Sequence, residues 1–177
     1  MALWLAIKDA KDLAKKTEGL DENILIIRLD MGLYVLPGYV RVDKGCAYVA
    51  FEGKEIRSDQ FSLFVINGSS DIFSWYYVRE GDWPLNAYPV GWSNFENETK
   101  IYLGKTTVDG EELYGQVWKK SDVVLSVATS KRVVFAYSFY VLVIDWNRFD
   151  PQRHFCSERF RNFHTRIPHG RRLSSLV

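Results

Sequence analysis

ILIIRLDMGLYVLPGYVRVDKGCAYVAFEGKEIRSDQFSLFVI, residues 24–66, is the stretch whose reading decides the fold. β-Branched and aromatic side chains crowd residues 23–29, 33–42, 46–51 and 61–66, as half-buried strands require. Asp30-Met31-Gly32 and Asp43-Lys44-Gly45 supply turns between the first three runs, and the polar segment 52–60 precedes the last. A second series of strand-like runs covers 101–107, 113–119, 123–128 and 133–143, with Val108-Asp109-Gly110 as a hairpin turn. The one helical pattern lies over residues 7–17, where Ala6, Ala10, Leu13 and Ala14 share a face and Gly19 is placed to end it.

The two series are related. With a shift of 77 residues Ile24 meets Ile101, Leu36 meets Leu113, Gly38 meets Gly115, Val40 meets Val117 and Lys54 meets Lys131. One extra residue then brings Phe61 onto Phe139 and Val65 onto Val143, while Arg28 meets the like-charged Lys105. A tandem duplication explains both the identities and the order of strands and turns. The expectation is an all-β fold of two antiparallel repeats, 1–72 and 73–146, sharing one core with pseudo-two-fold symmetry. Gly38 and Gly115 are expected where φ is positive or where two backbones meet closely.

The chain has 177 residues, 47% apolar and 25% charged, which excludes global disorder. No apolar run approaches the ~18–20 residues of a membrane-spanning helix. The apolar stretch 2–7 stops at Lys8, too short for a secretory signal, and two cysteines make no disulfide framework; a cytoplasmic protein is the expectation. The net charge of +1 conceals an asymmetry, because residues 147–177 hold seven Arg against Asp150 and Glu158, +5, which leaves −4 for the rest. Alternation also ends near Trp146, so 147–177 reads as a poorly ordered basic tail carrying all three histidines. Nucleic acid is not an expected partner beyond weak attraction through that tail.

Leu36-Pro37-Gly38, Gly45 to Phe51, Gly53-Lys54-Glu55 and Phe61 to Val65 together resemble the DM-nine repeat, as does Gly81-Asp82-Trp83-Pro84-Leu85-Asn86-Ala87 in the second series. Trp4 and Trp75 resemble the tryptophan that opens each repeat, and the likeness covers roughly residues 1–145. The family includes the amino-terminal part of natterin-type toxins and two-repeat invertebrate lectins that bind mannose. The resemblance implies a non-catalytic lectin-like module for mannose-type glycans, often a homodimer, with no metal or cofactor. The alternative is an intracellular interaction or structural protein of the same fold that has lost sugar binding.

In the lectin members an acidic residue and the lysine of a Pro-Gly-Lys turn hold the sugar, the carboxylate accepting from hydroxyls and the ammonium donating to them. Carried over, the turn lysine becomes Tyr39 in the first repeat and Gln116 in the second, with Arg41 as a substitute cation. The acidic position falls on Asp21 in the first repeat and on Asn94, with Glu96 nearby, in the second. Lys54, Glu55 and Lys131 stand in turns, either at a ligand rim or simply in water, and Glu55 aligns with Arg132. Trp75, Trp83 and Trp92 either stack on sugar rings or pack within the fold. Enzyme chemistry is not expected: no Gly-x-Gly cofactor loop occurs, strands do not alternate with helices, and every histidine lies in the tail. The sequons at Asn67 and Asn97 are expected to stay unmodified without a secretory signal.

Overall fold

A computed structural model describes residues 3–65, 72–79, 82–94, 99–119 and 123–148. The chain runs β1 (Leu3–Ile7), α1 (Ala10–Lys16), β2 (Ile24–Asp30), β3 (Tyr34–Arg41), β4 (Cys46–Phe51), β5 (Lys54–Ser58) and β6 (Phe61–Val65). It continues with β7 (Phe73–Val78), β8 (Pro89–Ser93), β9 (Thr99–Val108), β10 (Glu111–Lys119), β11 (Val123–Ala128), β12 (Val133–Ala136) and β13 (Phe139–Ile144). The fold is all-β and antiparallel, as the sequence led us to expect. No helix among the described residues is long and apolar enough to cross a membrane.

Turn chemistry places the strands. Asp109 (φ 52°) and Gly110 (φ 84°) make the β9–β10 hairpin with the two positive φ angles that the Asp-Gly pair tolerates. Asp9 caps α1 by accepting from the Asp12 amide, but of the helical face read from the sequence only Leu13 is buried. The helix is also shorter than the 7–17 expected, because Ile7 closes β1 and pairs with Phe61. Residues 133–143, read as one strand, break at Tyr137 and Ser138 into β12 and β13. The polar segment 52–60 contains β5, which pairs along β4 from Phe51↔Lys54 to Ala47↔Ser58.

The sheet order is β1-β6-β2-β3-β8-β9-β10-β11-β12, with β4 and β5 continuing from β3, and β13 and β7 from β9. β8 therefore bridges the halves, pairing Val35 of β3 through Trp92 and Tyr102 of β9 through Pro89. Pairing within the halves corresponds. Ile27↔Gly38 and Arg28↔Pro37 answer to Gly104↔Gly115 and Lys105↔Tyr114, an offset of 77 on every strand. Tyr39↔Tyr48 answers to Gln116↔Ser126, offsets of 77 and 78. The extra residue of the second half therefore lies between β10 and β11, earlier than the sequence comparison put it. Lys54 thus corresponds to Arg132 and Glu55 to Val133; Lys131 occupies the place of Gly53.

Gly38 and Gly115 lie where backbones meet. A Cβ at Gly38 would stand 2.3 Å from the Tyr48 carbonyl oxygen, and one at Gly115 2.1 Å from that of Ser126. Neither has a left-handed φ, so contact rather than conformation selects glycine. The largest buried cluster joins the halves, packing Tyr39, Tyr48 and Ala50 with Leu113, Val117, Leu125, Ala128 and Phe139.

Candidate functional site

Along this seam the strands bring polar side chains together. Tyr39 is fully buried, stacks on Tyr48 at 5.3 Å and donates its hydroxyl to the Ala128 carbonyl at 2.8 Å. Gln116, at the corresponding register, is 4% exposed and donates through Nε2 to the Ala50 carbonyl. Each half thus places one donor against the backbone of the other. Burial pushes the Tyr39 phenol up to about 12, with the Glu55 charge adding to the rise and Arg41 opposing it.

Beside Tyr39 the seam is charged. Arg41, its guanidinium 5.9 Å from the Tyr39 ring centre, binds both carboxylate oxygens of Glu111 across the halves. That bond holds the Glu111 carboxyl below its usual range and raises Arg41. Arg57 donates from Nε to Glu55 at 2.6 Å and from a terminal nitrogen to the Ser130 carbonyl at 2.8 Å, and it lies over the Tyr48 ring. Glu55 Oε2 is buried without a hydrogen-bond partner among the described residues. A buried acceptor left in that state beside a guanidinium suits a hydroxyl donor.

At the corresponding place in the other half the character reverses. Trp118 stands where Arg41 does and Tyr34 where Glu111 does, and their rings meet edge-on at 6.5 Å. Gln116 Oε1, like Glu55 Oε2, is a buried acceptor without a hydrogen-bond partner among the described residues.

Of the residues singled out in the sequence, the seam unites Tyr39, Arg41, Glu55 and Gln116. Asp21, Lys54 and Lys131 are exposed. Asn94 is also exposed, with its amide donating to the Leu33 carbonyl at 2.8 Å, and Glu96 lies outside the described residues, as do the sequon asparagines Asn67 and Asn97. The tryptophans divide: Trp83 packs edge-on against Tyr102 and Trp92 lies over Arg28. Tyr48, Arg57 and Glu111 were missed. For Arg57 a signal existed, since Glu55 and Arg57 are two apart and share a face of any strand drawn through them.

Fold and seam together define the class, an all-β repeat module with polar groups collected where its halves meet. The family model of the DM9 repeat matches residues 20–134, and the chain belongs to that family. DM9 domains are lectin-type, carbohydrate-binding modules of a non-catalytic kind. A search of curated proteins finds no match.

Proposed function

We propose that this chain is a non-catalytic, lectin-like module that holds a mannose-type glycan at the charged part of the seam. Membership of the DM9 family carries the reading. Arg57, whose side chain is exposed, donates to a sugar hydroxyl, Glu55 Oε1 beside it accepts from a neighbouring one, and Arg41 supplies the cation that the missing turn lysine would have given. Tyr39 forms the floor rather than a direct contact, since its hydroxyl is already bonded. The matching registers support tandem repeats, 1–72 and 73–146, related by a pseudo-two-fold axis.

The test is glycan-array binding followed by titration of Glu55→Gln. Removing one charge-assisted hydrogen bond is expected to weaken binding by about 1.5–3 kcal/mol without shifting the melting temperature. Unchanged affinity in a folded variant would remove Glu55 from the site. One observation favours a second reading, that of an interaction protein without sugar binding: the residues at both turn-lysine positions, Tyr39 and Gln116, are buried and bonded to backbone. Silence of the full chain on every glycan would select it.

A further inference from the structure

We propose that a second glycan subsite lies across β7, β13, β9 and β10, where one hexopyranose rests on Tyr77 and Tyr140 and its hydroxyls engage Lys105 and Glu112. The inference rests on the reading of the chain as a glycan-binding module and places a site away from the seam.

Strand register assembles this row. Tyr77 pairs with Tyr140, Tyr140 with Lys105, and Lys105 with Tyr114, so four side chains line up across four strands. At a strand spacing of about 4.8 Å the row is roughly 14 Å wide. Tyr77 and Tyr140 are 48% and 44% exposed, with ring centres 5.1 Å apart. Lys105 Nζ sits 4.7 Å over the Trp75 ring, 5.8 Å from that of Tyr140, and donates to Glu112 at 2.7 Å. Tyr114 donates to the other oxygen of Glu112 at 3.0 Å.

The corresponding row in the first half shows that the fold does not require these residues. There Ala6, Ser62, Arg28 and Pro37 stand in the places of Tyr77, Tyr140, Lys105 and Tyr114. Arg28 is closed over by Trp4 at 4.5 Å and Trp92 at 5.6 Å, and burial lowers it to about 10. The second half instead sets Trp75 and Tyr140 against its cation and leaves Tyr140 and the adjoining Tyr77 open to water. Exposed rings offer the C–H face of a pyranose an apolar surface. The adjoining ammonium and carboxylate provide a charged donor and acceptor for adjacent hydroxyls. This is the pairing that the turn positions lack, rebuilt on a sheet surface.

Nuclear magnetic resonance of the full chain localises binding directly, with methyl α-mannoside, methyl β-glucoside and methyl β-galactoside as probes. The expected result is saturable shifts of the Trp75 indole N–H and the Lys105 and Tyr140 amides with at least one probe. Lys105→Met and Tyr140→Ala should each raise the dissociation constant at those signals by about tenfold, leaving the Arg57 and Ser130 signals as in the wild type. Tyr77→Ala, at an exposed position, serves if Lys105→Met does not fold. Shifts confined to Arg57 and Ser130 would overturn the subsite and leave the glycan reading standing. No shift anywhere with all three probes would overturn both.

Discussion

Tyr39 gives its hydroxyl to a carbonyl 89 residues downstream, so a single side chain reports whether the halves are docked. Its pKa of about 12 lies above the ordinary 10.0, so the neutral phenol stabilises the fold. That contribution is complete below pH 10 and is lost as pH rises from 10 to 12. Tyr39→Phe is expected to lower stability near neutrality by about 1–3 kcal/mol, the cost of leaving the Ala128 carbonyl buried and unpaired. It should also make the fall in stability between pH 10 and 12 shallower, read from urea melts at a series of pH values; an unaltered slope would show that Tyr39 does not titrate with unfolding. Gly38→Ala puts a methyl group 2.3 Å from the Tyr48 oxygen and must push β3 from β4. A loss of about 1–3 kcal/mol is expected in thermal melts, and likewise for Gly115→Ala. The sequence marked both glycines by their place in the repeat, but only register shows which carbonyl each one faces.

Strands differ in how openly the sequence declares them. The β9–β10 hairpin was legible because Asp109-Gly110 fixes its own backbone and alternation flanks it. β5 was not, since its polar residues Lys54, Glu55 and Arg57 imitate a loop until β4 pairs with them. β8 carries Pro89 and Gly91 in five residues and is a strand only because β3 and β9 flank it. The site divides the same way: Tyr39, Arg41 and Glu55 stood out by position, whereas Glu111 reaches Arg41 only through tertiary pairing. The β5 and β12 edges also differ. At the register positions of Arg57 and Asp59, β12 and its exit present Phe135 and Tyr137, 55% and 71% exposed. Charge within the strand blunts the β5 edge, whereas β12 itself, Val133–Ala136, carries no charged residue. Phe135→Lys with Tyr137→Asp is expected to suppress light scattering of concentrated protein on warming while leaving the melting temperature nearly unchanged. Equal scattering would show that this edge does not drive association.

On the scale of the molecule, β8 joins the halves into one sheet, and the main core draws side chains from both. Residues 1–72 alone would expose Tyr39, Tyr48 and Ala50, and residues 73–146 would expose Leu125 and Val127. Neither segment is therefore expected to fold by itself, and the intact chain should unfold in one transition. Amide spectra of the separate segments check this, and well-dispersed signals from either would refute it. The shared core was legible as soon as the repeat was seen, whereas β8 as the joint was not, for no counterpart in the first half announces it. The long reach from Tyr39 to Ala128 also has a meaning on the ribosome. With Ala128 lying 89 positions after Tyr39, the wait at ~5–20 residues per second is about 4–18 s. For that time Tyr39 waits without its acceptor, and Tyr48 and Ala50 join it uncovered on a segment that cannot yet fold, so chaperone binding to ribosome-bound chains is expected to fall once Ala128 has emerged.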